Sequence, residues 1–373
     1  MNLAVFLTRG YDLSFWKKNG TLKRELGYYK ILQKKNYKIT FVSYGTKKTD
    51  YDFIKNTNFE ILNRPVWAPL LLYSFILPFI HYKHLKKVDV IKTNQIFGTL
   101  ETYFCCILFG KPMYSRSGYI PSSKISYLSL SIFSKILIYI EEFIACKYSK
   151  AISVSSKHSI DHLSNRYNIP KKKFVLLYNF VDSVFFYKKI YKKKNKKRKL
   201  DICFVGRLVE SKQPLLLLSI IKDFKNINLH VLGDGKLKKT LKKESLRIKN
   251  KVIYYKKIDN LKMPMFFSDK DVLLFPTLEE GNSKVILESL ACGLIVMTND
   301  IDCNKELINH KVNGYLIKNN NLKIYKKHLK EIIKNEKKKF LLSRNAYLFA
   351  NKRFNFNKFL DIELLQFKKC IQI

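Results

Sequence analysis

Two glutamates, Glu280 and Glu288, bracket a seven-residue stretch that begins Gly281, Asn282, Ser283, Lys284. The apolar run before them, residues 271–275, reads as a strand, and Pro276 turns the chain. Ser283 suits a helix N-cap, and Gly293 stands where a helix opened there would stop. Glu280 therefore falls on a loop and Glu288 on a helix, with the free N–H groups of the helix N-terminus between them. Carboxylates accept hydrogen bonds from hydroxyls, and a helix N-terminus favours phosphate. The spacing suits a ligand with hydroxyls at both ends and phosphate in the middle, as in a nucleotide sugar. Taken alone, the same pair also fits an ordinary helix with an acidic flank.

Gly206 and Arg207 follow a second apolar run, 201–205, and Lys212 stands five residues beyond Arg207. Cleavage of a nucleotide sugar leaves a diphosphate with developing negative charge, which enzymes meet with a metal or with fixed cations. The sequence offers no DxD suitably placed after a strand and no His, Asp and Glu group at ligand spacing. No metal is therefore expected, and an arginine fork with a lysine point charge takes its place. One such charge at ~4 Å is worth about 4 kcal/mol at an effective dielectric of 20. Toward the N-terminus, three strand-end loops carry polar groups that would face one cleft: Arg9, Asn94 and Arg116 are candidates for the acceptor side.

The elements that must position these residues alternate along the whole chain. Strands are expected at residues 3–7, 38–43, 59–62, 88–92, 112–115, 151–154 and 174–177, with helical patterns between them, among them 22–34, 97–109 and 123–147. After a charge run the alternation restarts, with strands at 201–205, 228–232, 251–255, 271–275, 294–298 and 314–317. Such alternation means βαβ units and parallel sheets, whose ligands bind at the carboxyl ends of strands. The chain is expected to be α/β, with an N-terminal domain over 1–187, an exposed basic linker over 188–199 and a C-terminal domain over 200–354.

The chain has 373 residues, 47% of them hydrophobic, enough for two cores. Its formal net charge is +42, and only ten of its 71 basic residues are arginine. Lysine dominance beside plentiful Asn, Ile, Tyr and Phe suggests a compositional bias of the coding sequence. So basic a surface is still drawn to anionic lipid, nucleic acid or phosphorylated substrates. Seven scattered cysteines with no CxxC spacing argue for free thiols in a reducing cytosol. No signal peptide is expected, and the longest apolar stretch, 66–80, is too short to span a bilayer and holds Pro69 and Pro78.

Several motifs occur together and in order: Gly206, Arg207, Leu208 with Lys212; Gly233 with Gly235; Glu280, Gly281 with Glu288; and Ala291, Cys292, Gly293. Asn179, Phe180, Val181, Asp182 and Asn313, Gly314, Tyr315 flank them. This set resembles glycosyltransferase family 4 (group 1), most firmly over residues 151–317. The resemblance implies a retaining enzyme of GT-B type, with two doubly wound Rossmann-like domains facing a cleft and a last helix, about 355–373, returning to the first domain. It implies that Arg207 and Lys212 hold the diphosphate and stabilise the leaving group. Glu280 would contact hydroxyls of the transferred sugar and Glu288 the ribose. Gly281, Asn282, Ser283 and Lys284 would line phosphates and sugar, while Gly206, Gly233 and Gly235 would belong to the donor site, the last two letting the chain approach the nucleotide closely. Thr8, Arg9, Gly10 hold a single glycine where the family often has a glycine-rich loop, no N-domain histidine is assignable, and Lys256 and Lys257 leave the choice of UDP or GDP open.

The expected reaction is metal-independent transfer from a nucleotide sugar, with no other cofactor, to a growing and lipid-linked polysaccharide or oligosaccharide acceptor. The protein is expected in the cytoplasm, peripheral on the inner face of an anionic membrane. Residues 67–80 and 123–147 carry the apolar and basic load of interfacial helices, although core helices would read similarly. The other classes are a GT-B nucleotide-sugar epimerase and a basic nucleic-acid-binding protein. The last lacks any recognised binding module, so no nucleic-acid partner is expected.

Overall fold

The computed structural model describes residues 1–127, 130–185 and 199–372, and divides into two compact units. Unit 1 comprises Met1–Leu177 with Asp361–Ile373, and unit 2 comprises Tyr178–Leu360. Residues 188–198 of the expected basic linker lie outside the described residues.

Unit 1 is built on seven parallel strands: β1 (Asn2–Phe6), β2 (Lys38–Val42), β3 (Glu60–Leu62), β4 (Val90–Thr93), β5 (Met113–Ser117), β6 (Ala151–Val154) and β7 (Phe174–Leu176). Their order is β3-β2-β1-β4-β5-β6-β7. The strands read as near-continuous apolar runs because helices cover both faces of a parallel sheet. Unit 2 has six: β8 (Leu200–Val205), β9 (Ile227–Leu232), β10 (Lys251–Tyr255), β11 (Val272–Phe275), β12 (Ile295–Asn299) and β13 (Gly314–Ile317), in the order β10-β9-β8-β11-β12-β13. All the expected strands are present, with ends within two residues of the sequence reading. In both sheets the order reverses beside the first strand, between β1 and β4 and between β8 and β11. At such a reversal the connections leave in opposite directions and open a crevice at the strand carboxyl ends.

The helical pattern expected over 123–147 is broken. A 3-10 turn, Ser122–Tyr127, precedes the helix Ile132–Tyr148, whose N-cap Ser131 accepts a hydrogen bond from the Ser134 N–H at 3.2 Å. Serine competes for backbone hydrogen bonds and so favours a cap over a helix interior.

Residues Tyr178–Phe185 group with unit 2, whereas the sequence boundary was drawn at 187. Three contacts draw them there. Asn179 pairs with Asn282, the Val181 N–H donates to the Phe354 carbonyl at 2.8 Å, and the Cys292 thiol donates to the Phe185 carbonyl at 3.4 Å. At the other end, Asp361–Ile373 is held in unit 1 by a buried charge. Glu363 is fully buried, pairs with Lys92 Nζ at 3.0 Å and accepts a hydrogen bond from the Tyr28 hydroxyl. Lys92 also sits over the rings of Tyr28, Tyr29, Tyr114 and Phe367 at 5.0–6.0 Å. Burial pushes the Lys92 ammonium down from its usual range, with Glu363 opposing. All seven cysteines are free and buried. Among the described residues, no helix is long and apolar enough to cross a membrane.

Candidate functional site

The richest grouping of the expected residues lies in unit 2 at the β8/β11 reversal. β8 ends at Val205, and the chain turns through Gly206 and the exposed Arg207 to a short 3-10 turn, Glu210–Lys212. β11 ends at Phe275 and runs through Pro276 and Thr277 to Glu280. The Leu278 N–H donates to the Ser211 carbonyl at 2.8 Å, which ties the two loops together.

Lys212 is buried where they meet, and its ammonium uses three donors. It bonds Glu280 Oε1 at 2.6 Å, the Glu279 carbonyl at 2.8 Å and Thr277 Oγ1 at 3.0 Å, and lies 5.7 Å from the centre of the Phe275 ring. Lys212 and Glu280, which the resemblance aims at different parts of a donor, are here an ion pair. Arg207 is the opposite case, since it is exposed and makes no hydrogen bond or ion pair with the described residues. The unit thus presents one fixed, compensated cation and one open cation at the same strand end.

The helix Lys284–Ala291 follows as expected, and Ser283 has the extended backbone of an N-cap. Ser283 thus stands at the expected N-cap, although its side chain makes no capping bond. Glu288 is buried on this helix, with Oε1 accepting from Asn260 Nδ2 at 3.2 Å. Asn282 is fixed by Asn179, which donates its N–H to Asn282 Oδ1 at 2.9 Å and its Nδ2 to the Asn282 carbonyl at 2.8 Å. Asn282 Nδ2 is left buried with no hydrogen-bond partner. An unmet buried donor costs about 1–3 kcal/mol, so this one suits an acceptor brought by a ligand. Gly281 and Lys284 are half-buried beside these groups.

The glycines also have a part within the fold. A Cβ on Gly233 would stand 1.9 Å from the Gly206 carbonyl oxygen, and one on Gly235 would stand 2.5 Å from that of Leu208. The loop after β9 crosses the loop after β8 in backbone contact, with the Leu208 N–H bonding the Asp234 carbonyl at 2.8 Å. The close approach that these glycines permit is therefore to the protein's own chain, and it sets where Gly206 and Arg207 lie.

In unit 1 the three acceptor-side candidates are not equivalent. Arg9 is consumed by structure, bonding Glu101 through Nε at 2.5 Å and Glu141 through its guanidinium at 2.5 Å. Glu141 also accepts from the Gly98 and Leu100 N–H groups at 3.0 and 3.3 Å. Burial pushes the Glu141 carboxyl up to about 7 against the pull of Arg9. Arg9 is thus a brace between the end of β1 and two helices. Arg116 lies 3.9 Å from buried Glu363, and Asn94 is half-buried, its N–H bonded to the Phe6 carbonyl at 3.0 Å.

Sequence reasoning missed Thr277 and Asn320 and gave Asn179 no role. Asn320 Nδ2 donates to the Pro276 carbonyl at 2.9 Å and Gln213 Oε1 at 3.1 Å, holding both loops from the side of β13. The signals present were an asparagine on each side of the acidic motif and a threonine directly after Pro276. Among the described residues, no group of three or more His, Cys, Asp or Glu is arranged to hold a metal ion.

Residues 186–349 match the family model "Glycosyl transferases group 1". The chain is 30% identical over 190 residues to an uncharacterized 41.2 kDa protein of the cps region of Klebsiella pneumoniae, and spans about half that protein's length (51%) and 49% of its own. It is 27% identical over 286 residues, 74% of this chain and 76% of the relative, to the Campylobacter jejuni N-acetylgalactosamine-N,N'-diacetylbacillosaminyl-diphospho-undecaprenol 4-alpha-N-acetylgalactosaminyltransferase. The fold is similar to that of Anabaena HepE in complex with UDP, with a TM-score of 0.77 at 16% identity over 98% of this chain and 100% of that one.

Proposed function

We propose, from the match of residues 186–349 to the glycosyl transferases of group 1, that this chain moves a sugar from a nucleotide-sugar donor to a lipid-linked oligosaccharide or polysaccharide acceptor. One observation carries the reading. At the β8/β11 reversal, the loop after β8 carries open Arg207 and Lys212, and Lys212 pairs with Glu280, two residues before Asn282 with its buried, unmet Nδ2. Arg207 and Lys212 supply fixed positive charge for the departing diphosphate, worth most where water is excluded. Glu280, held by Lys212, accepts hydrogen bonds from sugar hydroxyls, and Glu288 accepts them from the ribose. With those cations in place, transfer proceeds without a metal. In family 4 fashion the leaving phosphate takes the acceptor's proton on the face it departs from, so the anomeric configuration is retained. A diphospho-undecaprenol acceptor in the name of the Campylobacter relative supports the lipid-linked acceptor. So does the basic, apolar surface of unit 1, which fits an enzyme working at the inner face of the membrane.

Thermal-shift titration against UDP- and GDP-sugars tests the donor half. A ligand at 100 times its dissociation constant adds ~2.7 kcal/mol, which a melting curve resolves. No shift with any nucleotide sugar, or loss of transfer on adding EDTA, overturns the reading.

A further inference from the structure

Three neighbouring helices of unit 1 carry their apolar residues on the outside. On Thr99–Phe109, Leu100, Phe104, Ile107 and Leu108 are exposed while Thr99, Glu101 and Thr102 are buried. That spacing is the apolar stripe of an amphipathic helix, turned away from the core. Leu70–Ile80 repeats the pattern with Leu71, Phe75 and Phe79 after exposed Trp67, and Ile132–Tyr148 repeats it with Ile132, Phe133, Ile136 and Ile140. Phe75 and Phe133 are 69% and 74% exposed. The inner sides of all three helices meet in one core cluster, through Tyr73, Leu77, Cys105, Cys106 and Ile144. Ring contacts join neighbouring helices near the surface: Phe79 packs edge-on against Phe104 at 6.1 Å, and Tyr103 stacks on Tyr148, at the end of the third helix, at 4.7 Å. Apolar layers of this extent on a protein surface mark an interaction site.

Lysine outnumbers acid around the layer, where exposed Asp89 and the His84-paired Glu60 are the acidic groups beside the first helix. Lys83, Lys86 and Lys87 are exposed after the first helix, and Lys147 and Lys150 at the end of the third. Between the ends of the second and third helices lies an open cavity of about 480 Å³, lined by Tyr103, Ile107 and Met113 together with Lys111, Lys150 and Lys173, and by no acidic residue. Lys173 Nζ donates to the Lys147 carbonyl, which fixes it at the cavity. The cavity adjoins the N-terminal ends of β5 and β6, the sheet edge opposite Asn94 and Arg116.

We propose that this three-helix layer seats on an anionic phospholipid bilayer, its apolar side chains at the acyl boundary and a headgroup phosphate in the Lys111, Lys150 and Lys173 cavity. The proposal rests on, and deepens, the membrane-surface reading above. Complementary charge favours lipid over a second copy of the chain, since a two-fold interface would set these lysines against themselves.

The full chain is sedimented with phosphatidylcholine vesicles containing or lacking phosphatidylglycerol, and UDP binding is followed separately by thermal shift. The expected result is partition onto the anionic vesicles and release at high salt. Phe75→Glu and Phe133→Glu each weaken partition at least about tenfold, as loss of a buried aromatic dictates. Lys111→Glu with Lys150→Glu removes the preference for phosphatidylglycerol. Unchanged circular dichroism and a cooperative melt at wild-type temperature certify the folding of these variants, whose substitutions lie in unit 1. Equal binding to both vesicle types overturns the phosphate cavity. Failure of the wild type to bind vesicles while it binds UDP overturns the bilayer proposal and leaves donor chemistry standing, whereas the reverse pattern sinks the donor reading alone. Dimerisation without vesicles, abolished by Phe75→Glu, assigns the layer to a second copy and also overturns it.

Discussion

Arg207 and Lys212 sit at one strand end, yet their removal should have opposite signatures. Arg207 is exposed and unengaged among the described residues. Arg207→Ala should therefore shift unfolding by no more than about 0.5 kcal/mol, as for an ordinary surface change. If its guanidinium meets the leaving diphosphate, turnover should fall at least about 100-fold, the scale for losing one transition-state donor. Lys212 is buried and bonds Glu280 Oε1, the Glu279 carbonyl and Thr277 Oγ1. The gross attraction at 2.6 Å is about 6 kcal/mol at an effective dielectric of 20, part of it already offset by desolvation. Lys212→Met strands a largely buried carboxylate and a carbonyl, so it should cost about 3–5 kcal/mol of stability as well as activity. Glu280→Gln keeps a hydrogen-bond acceptor for Lys212 and should cost less stability than Lys212→Met. Urea unfolding beside a coupled assay for released nucleoside diphosphate separates the cases. Normal turnover in Arg207→Ala, or wild-type stability in Lys212→Met, refutes the division of labour.

Glu288→Gln should weaken binding of the free nucleoside diphosphate, measured by calorimetry, while Glu280→Gln mainly slows transfer; unchanged affinity in the first removes the ribose assignment. Gly233→Ala places a Cβ 1.9 Å from the Gly206 carbonyl oxygen, so melting should show destabilisation of a few kcal/mol. Glu363→Gln leaves Lys92 buried without its counter-charge and should cost about 3–5 kcal/mol, read as faster proteolytic release of the C-terminal segment. Burial, with repulsion from His84, holds the buried His81 imidazole at about 4, below its usual 6.5. Its contribution to stability is therefore complete above pH 6.5 and lost as pH falls toward 4, on the order of 3 kcal/mol in all. His81→Gln should flatten the urea midpoint across that window.

The fold was legible because parallel strands buried on both faces write themselves as apolar runs, and helices between them keep the sheet parallel. What the sequence hid was pairing. Lys212 and Glu280 were both recognisable, but they are 68 positions apart and meet only because β8 lies beside β11. Arg9 carried the type and position of a ligand contact, and its partners Glu101 and Glu141 lie 92 and 132 positions away. Gly233 was singled out for approach to a nucleotide, while its approach to Gly206 within the chain is set by loop crossing.

Lysine shows most clearly why residue type alone misleads in this chain. All but ten of its 71 basic residues are lysine, so type and local pattern cannot tell one from another. Burial can. Lys92 is a structural cation, closed in by aromatic rings and paired with Glu363. Lys212 is also buried, but its carboxylate partner stands on the loop that opens the Lys284–Ala291 helix, so its charge remains coupled to whatever Glu280 binds. Lys111 and Lys150 border an open apolar cavity and can meet a partner only from outside. Burial cost selects among these roles. A lysine kept inside without a counter-charge gives up its proton, a paired one braces the fold or positions a ligand group, and an open one acts through the field it sums with its neighbours. The net charge of +42 is thus three populations, of which only the open one, Lys111 and Lys150 included, should respond to added salt.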